Sequence, residues 1–502
     1  MSRRAGWLAL RWIAAMVFLF ASGCTAAHRR NSAWHAAEPG AVPRRAVESP
    51  APSDAGEVPP AAGAPALRGA TATVEPLAAA RARGDATLED CFRAAVQRNE
   101  RIGRAEEDYR QAVLLKTTAL GTVLPRVTIE NNYNLQNKVT LPNPAGVAFS
   151  FEEKKNQLLL HLQQPIFAGF RDANFFGFAR NSIDAFRNGL EDSRRLLYAS
   201  VAQVFYSALQ IEGAVKTLQD SVEVERERFR EIQARHEAGL ARKTEVLLVE
   251  SQLASDESRL TRAGNDSKVA RDQLSFLMAT PLDLPLRDDV TVPESPSGGP
   301  VETSANAGLD VLVREGRENR SDLRQREKLA EAAQYQVSLA RGEYYPTVDL
   351  DAEAVLERQH YSDFGQATDW TAQINFSFPL FDGGRIRASV ATARSKLQQV
   401  ILDRDELARQ IGVEIQNAWL TLESDRAQLE TLEKSVASAD ENDRLVREEY
   451  RSGLATNLEV ITGHNQLLSA RLDLERQKYQ VKLDWIALKL AQGLLPGSVN
   501  TP

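Results

Sequence analysis

The feature that most constrains this chain is an internal duplication. Leu88, Ile102 and Pro125 have counterparts in Leu309, Leu323 and Pro346 at one offset of 221 residues (309 − 88, 323 − 102, 346 − 125). Further along, Pro165-Ile166-Phe167-Ala168-Gly169-Phe170-Arg171 matches Pro379-Leu380-Phe381-Asp382-Gly383-Gly384-Arg385. Ala238-Gly239-Leu240-Ala241 likewise matches Ser452-Gly453-Leu454-Ala455, and both pairs are offset by 214 (379 − 165, 453 − 239). The copies are therefore collinear apart from one length change of seven (221 − 214), between Pro125 and Pro165. A length change confined to one place marks a surface loop. Whatever one half folds into, the other must fold into as well.

Each copy runs through the same patterns. Thr87-Leu88-Glu89-Asp90 has the residue types of a helix start, and a helical pattern follows to Leu124-Pro125. Leu309 opens the counterpart, which ends at Tyr345-Pro346. The period then changes to two. Val127, Ile129, Tyr133 and Leu135 alternate with Thr128, Glu130, Asn132 and Asn134; Leu158, Leu160 and Leu162 alternate with Leu159, His161 and Gln163. In the second copy Val348, Leu350, Ala352 and Ala354 alternate with Asp349, Asp351 and Glu353, and Trp370, Ala372, Ile374, Phe376 and Phe378 with Thr371, Gln373, Asn375 and Ser377. Each copy thus carries a predicted β-hairpin.

Beyond the hairpin, residues 171–238 and 385–452 contain no proline and read as one long helix apiece. At 1.5 Å per residue each would be a rod of roughly 100 Å. In the second rod Ile415, Ala418, Leu422, Leu429, Leu432, Val436, Ala439 and Val446 fall on a heptad seam, interrupted by Asp425 and Asp443. Gly239 and Gly453 stop the rods, as glycine does just past a helix C-terminus. Shorter return helices follow, ending near Thr280-Pro281 and Gln492-Gly493. The expected organisation is a first repeat over residues 86–280, a Pro/Ser/Gly-rich linker over 281–306, a second repeat over 307–495 and a tail over 496–502.

The N-terminus reads as an export signal over residues 1–23. Arg3 and Arg4 precede a short apolar run, which ends at Ala21-Ser22-Gly23-Cys24. Small residues before a cysteine resemble a bacterial lipobox, which would make Cys24 the acylated mature N-terminus; the alternative is an ordinary small-residue cleavage site or an uncleaved anchor. Residues 24–85 are rich in Ala and Pro and are expected to form a flexible tether. Past the signal no apolar stretch suffices for a membrane helix, so a membrane-spanning form would have to be a barrel. One-sided strands suit a barrel wall between lipid and water, or an ordinary half-buried hairpin. Two copies in an exported chain without another sheet favour the wall. Four strands cannot close a barrel, so the chain would have to oligomerise.

Composition and motifs exclude other classes. The 61 basic residues nearly balance 68 acidic ones, a formal charge of −7 without the basic footprint of a nucleic-acid binder. Two cysteines, Cys24 and Cys91, offer no disulfide framework. His28, His35, His161, His236, His360 and His464 lie scattered without metal-ligand spacing. No nucleophile elbow, phosphate loop or dinucleotide fingerprint is present, so neither an enzyme, a metal site nor a cofactor is expected.

The order helix, Leu-Pro, hairpin, Pro-x-Phe-x-Gly-x-Arg, long helix, Gly-Leu turn and return helix, given twice, resembles the TolC-like outer-membrane efflux proteins over about residues 86–495. The lipobox makes the chain more similar to their lipidated branch. The resemblance implies an α+β membrane protein: a homotrimer with a twelve-stranded barrel, four strands per chain, continued by a long coiled α-helical barrel. It implies a passive exit duct in the outer membrane, lipid-anchored and extending into the periplasm. Docking to a periplasmic membrane-fusion adaptor and an inner-membrane pump of the RND, MFS or ABC type is part of the same expectation. The turns after Gly239 and Gly453 would lie at the periplasmic tip, with Leu458, Glu459 and Glu245 at the gate; otherwise Glu459 is a solvated acid favoured by the helix dipole. Glu130, Asp349, Asp351 and Glu353 would face the barrel lumen, and Pro165 and Pro379 mark the strand-to-helix junctions. The competing reading is a periplasmic coiled-coil tethering lipoprotein, which has no need of lipid-facing strands.

Overall fold

The computed structural model describes residues 77–135, 139–142, 148–151, 154–293, 305–358 and 369–495. The proposed signal with Cys24, most of the tether, residues 294–304 and the 496–502 tail lie outside them.

The first copy begins with a short helix, α1 (Ala78–Arg83), followed by α2 (Leu88–Arg98) and α3 (Glu100–Val123). Thr87 and Asp90 form a capping box at the start of α2, each side chain accepting from the other's backbone N–H. Asn99 interrupts the helical run: its backbone is extended, its Oδ1 accepts from the Arg101 N–H at 2.9 Å and its Nδ2 donates to the Leu277 carbonyl at 2.9 Å. The strands are β1 (Arg126–Leu135), β2 (Val139–Pro142), β3 (Ala148–Phe151) and β4 (Lys154–Ala168), before the rod α4 (Arg171–Glu237) and the return helix α5 (Lys243–Met278).

The second copy gives α6 (Ala305–Asn319), α7 (Ser321–Gly342), β5 (Thr347–Arg358), β6 (Asp369–Ser377), α8 (Arg385–Arg451) and α9 (Asn457–Ala491). Its helical run breaks at Arg320, again 221 residues beyond Asn99 (320 − 99), so the duplication extends to the kinks. Both rods have 67 residues.

Residues 77–85, expected to belong to a flexible tether, are instead packed and partly helical. Leu77 and Ala80 are buried against the core and α1 is ordered, because an alanine-rich segment that meets an apolar surface is a good helix. Part of the expected linker is also packed: Leu282 is buried, Leu284, Leu286 and Val290 lie against the same core, and Ala86 bridges Leu286.

Four strands form one antiparallel sheet in the order β1-β4-β5-β6, while β2 and β3 pair separately in the longer hairpin loop of the first copy. The register aligns Ile129 with Leu160, Leu160 with Ala354 and Ala354 with Trp370, so one face is apolar across all four strands. On the other face Gln163 aligns with Asp351 and Asp351 with Gln373.

The helices pack around two large apolar clusters. One gathers Leu88, Cys91, Val201, Phe205, Tyr206, Leu274 and Met278; the other gathers Leu323, Ile411, Ile415, Leu422, Val481 and Leu488. Towards the Gly239 and Gly453 turns the core thins to small clusters around Ile232, Val246, Val249 and Ile461, and around Ala439, Leu467 and Ala470. Cys91 behaves as a buried apolar residue, burial pushing its thiol up to about 12.

Candidate functional site

Two regions carry the candidate site, the strand sheet at one end of the rods and the paired turns at the other. In the sheet no described element of the chain covers the apolar face. Ile129, Trp370, Ile374 and Phe376 are each between 68% and 72% exposed. A sheet of a water-soluble protein buries its apolar face, so this one is built for a surround that is not water. Asp349, Asp351, Glu353 and Glu130 all occupy the opposite face, where His161 Nε2 lies 3.4 Å from Asp351 Oδ1 and Asn375 donates to Asp351. Pro165 sits at a register shift in β4 and Pro379 lies just past β6. Each precedes a left-handed glycine, Gly169 or Gly383, where strand turns into rod.

At the far end the turns repeat one another. Gly239 and Gly453 have φ of 76° and 79°, which a side chain at Cβ disfavours. The Leu240 N–H donates to the Arg235 carbonyl and the Gly239 N–H to that of His236; Leu454 and Gly453 do the same to Glu449 and Tyr450. Both turns are thus Schellman motifs, and they leave Leu240 and Leu454 80% and 82% exposed.

Glu459 accepts from the Thr456 N–H at 2.6 Å and from Thr456 Oγ1 at 2.8 Å, completing a capping box at the start of α9. The backbone hydrogen bond holds its carboxyl below the usual range, so it is ionised at neutral pH. Leu458, beside it, is exposed. Glu245 caps α5 and reaches across: Tyr450 Oη donates to its Oε2 at 3.5 Å, Asn457 Nδ2 donates to its carbonyl at 3.4 Å, and Arg235 lies over the Tyr450 ring at 5.4 Å. Glu245 therefore links the two copies at the turns, whereas Glu459 is engaged with its own helix.

Sequence reasoning missed a buried polar cluster above the turns. His464 of α9 lies between Ser221 Oγ at 2.9 Å from Nε2 and Arg447 Nη2 at 3.1 Å from Nδ1. Arginine only donates, so Nδ1 is the acceptor and Nε2–H donates to Ser221. Arg447 also binds Asp443 Oδ2 at 2.9 Å; Glu225 Oε1 is 3.7 Å from both His464 Nε2 and Arg228 Nη1. Asp256 of α5 is fully buried and accepts from Gln252. Burial pushes Glu225 up, against the opposing pull of Arg228, and pushes His464 down, with the Arg447 charge adding to it. The one signal in the sequence was Asp443, an acid on an apolar seam. Arg447 pairs with it one turn along α8, but Ser221 and Glu225 of α4, Asp256 of α5 and His464 of α9 come from beyond any local pattern.

Among the described residues no group of three or more His, Cys, Asp or Glu could hold a metal ion, and no helix is long and apolar enough to cross a membrane. The family model described as outer membrane efflux protein matches residues 94–280 and 312–494, well over half of the chain. This chain belongs to the outer membrane efflux protein family. Among curated relatives, the outer membrane efflux protein BepC of Brucella suis is 24% identical over 336 residues, 66% of this chain and 71% of the relative. The alkaline protease secretion protein AprF of Pseudomonas aeruginosa is 24% identical over 426 residues, 81% of this chain and 84% of its own. The fold is that of solved outer-membrane channels. The outer membrane protein VceC of Vibrio cholerae superposes with a TM-score of 0.68 at 19% identity, covering 81% of this chain and 96% of that one. The CmeC outer membrane channel of Campylobacter jejuni gives 0.69 at 17%, covering 81% and 85%. An outer membrane efflux protein is a channel for export, not an enzyme.

Proposed function

We propose that three copies of this efflux protein close one twelve-stranded barrel and one continuous helical sleeve, forming the passive exit duct of a tripartite system. The observation that carries the reading is the sheet: an apolar face left bare, and two edge strands, β1 and β6, without a partner on their outer sides among the described residues. Unpaired strand edges are not tolerated in lipid, and copies of the same chain are the simplest source of edges to join. Two rods of equal length then keep the sleeve flush at its tip.

In this reading Glu130, Asp349, Asp351 and Glu353 line the bore, and Leu458, Glu459 and Glu245 surround the mouth. Three ionised Glu459 side chains around an axis would favour cations there. A periplasmic adaptor meets the exposed Leu240 and Leu454 turns, and an inner-membrane pump supplies the energy and selects the cargo. Names among the relatives range from protease secretion to toluene efflux, so the family alone does not fix the cargo. Cys24 carries the lipid anchor.

The test is outer-membrane fractionation of wild type and Cys24→Ser, with native mass measured in detergent. Both are expected in the outer membrane as trimers, since the strands hold the protein in lipid without the anchor. Recovery of Cys24→Ser as a soluble monomer would overturn the duct and favour the tether. Glu459→Gln tests the mouth: single-channel conductance rises if this carboxylate sets the aperture and stays unchanged if it only caps α9.

A further inference from the structure

His464 of α9 stands between α4 and α8, and its ring is held in a way that requires it to be neutral. Arg447 of α8 donates to Nδ1 at 3.1 Å, and Nε2 donates to Ser221 Oγ of α4 at 2.9 Å. A ring that accepts at Nδ1 carries no proton there. Just beyond these contacts lie two carboxylate oxygens that need donors. Asp443 Oδ1 of α8 is 4.0 Å from Nδ1, and Glu225 Oε1 of α4 is 3.7 Å from Nε2. Both oxygens are buried, and among the described residues neither accepts a hydrogen bond. Buried acceptors without a donor are costly. A ring protonated on both nitrogens would present an N–H to each of them.

The other charges around the ring are engaged. Arg228 of α4 donates to the Asn457 carbonyl at 3.1 Å and lies 3.7 Å from Glu225. Asp256 of α5 accepts from Gln252 at 3.0 Å and from Arg259 at 3.4 Å. Arg447 binds Asp443 Oδ2 at 2.9 Å, which leaves Oδ1 open to another donor. A proton on Nδ1 would break the bond from Arg447, because neither group could then accept and two cations would face each other. The Arg447 side chain is 35% exposed, so it can turn its charge towards water and keep its hold on Asp443.

We propose that His464 exchanges partners when it takes up a proton: neutral, it accepts from Arg447; protonated, it releases Arg447 and donates from Nδ1 to Asp443, with Nε2 left to Ser221 and Glu225. Closing the 4.0 Å gap to hydrogen-bond distance draws the ring about 1 Å towards Asp443. His464 lies five residues beyond Glu459 (464 − 459), about 8 Å along α9, so the shift reaches the helix start that carries Leu458 and Glu459. That last consequence rests on the duct reading; the exchange of partners does not. Burial and then the Arg447 charge hold the ring below its ordinary value of 6.5, so the exchange belongs to acid conditions. Glu225, pushed up by burial, takes its own proton sooner, which leaves Asp443 as the charge that receives the ring.

The experiment is solid-state NMR of the full-length protein in lipid vesicles, isotope-labelled at the histidine ring nitrogens and titrated from pH 7.5 to pH 4. The His464 signals are those missing from His464→Gln. At pH 7.5 Nδ1 is expected bare and Nε2 protonated; at the acid end both are protonated, with a midpoint below 6.5. Arg447→Met should move that midpoint up and Asp443→Asn should move it down, because one removes the cation the ring displaces and the other the acceptor it gains. A proton on Nδ1 at pH 7.5, or a midpoint that stays put in whichever variant folds, overturns the exchange. Conductance of the same protein in planar bilayers separates the two readings. Acid on the periplasmic side is expected to change the open fraction about threefold in wild type and not in His464→Gln. The expected ring titration without any conductance would sink the duct and leave the exchange standing; a conducting wild type whose open fraction ignores pH would overturn the link to the mouth.

Discussion

Arg447→Met should open the lower part of the helical coil without touching either turn. Arg447 is the partner of Asp443, which is buried, and its guanidinium also donates to His464. Truncating it leaves the Asp443 carboxylate on an apolar seam beside Glu225, with Arg228 as the remaining cation of the cluster. Breaking a buried ion pair by removing one member costs about 3–5 kcal/mol. Here the Arg447 side chain is 35% exposed, so water already shares its screening, and about 2–3 kcal/mol is the better expectation. Hydrogen exchange reads this directly, as a roughly 30- to 160-fold loss of protection in residues 439–470 while the cluster around Phe205 and Met278 is unchanged. The double variant Asp443→Leu with Arg447→Met puts an apolar side chain back on the seam and should recover most of the loss, since a buried pair is often replaced by apolar residues at little cost. A single variant as protected as wild type, or a double variant no better than the single, would refute the reasoning.

Three further outcomes are expected. Gly169→Ala should sharply reduce assembled protein in the outer membrane, because φ there is 64° and a Cβ would lie 2.4 Å from the Gly342 carbonyl oxygen; Gly239→Ala, with φ of 76° but open space around it, should lose only about 1 kcal/mol. In a Glu225→Gln background the lower coil should lose protection in acid. His464 is held below its ordinary value of 6.5, so below pH 6.5 the unfolded chain takes up a proton that the folded coil refuses; stability is full above that pH and falls as pH drops. Glu225 acts in the opposite sense, stabilising at low pH and losing that contribution as pH rises through its raised value, which is why it is removed first. Tyr450→Phe deletes the hydroxyl that reaches Glu245 and should raise the open fraction of single channels about fivefold, the equivalent of about 1 kcal/mol; an unchanged open fraction would remove that contact from any role at the mouth.

Much of this fold was legible because it is written in local patterns, twice. The period-2 stretches became β1, β4, β5 and β6, and the Gly-Leu pairs became Schellman turns, since strand alternation and left-handed glycine need no distant partner. The heptad seam of α8 indeed faces inward at Ile415, Leu422 and Ala439. The breaks at Asn99 and Arg320 were not legible, because neither residue forbids a helix and each is fixed by tertiary partners: Asn99 by the Leu277 carbonyl, Arg320 by Glu414 and the Ala491 carbonyl. The ordered α1 was missed for a related reason, alanine being as common in tethers as in helices. At the candidate site, Glu245 and Glu459 are equivalent by offset yet differ in engagement. Only the structure brings Tyr450 to Glu245, 205 residues away. Asp443 stood out as an irregularity, but His464, which faces it at 4.0 Å, lies on another helix.

The central claim, that this chain builds a duct through the outer membrane, is tested most directly by inserting the full-length protein, purified from outer membranes, into planar bilayers after its mass has been measured in detergent. Three copies per particle and discrete, stepwise conductance are expected, with larger steps or longer openings in Glu459→Gln or Tyr450→Phe. Folded particles of one copy, or trimers that never conduct in wild type or either variant, would contradict it.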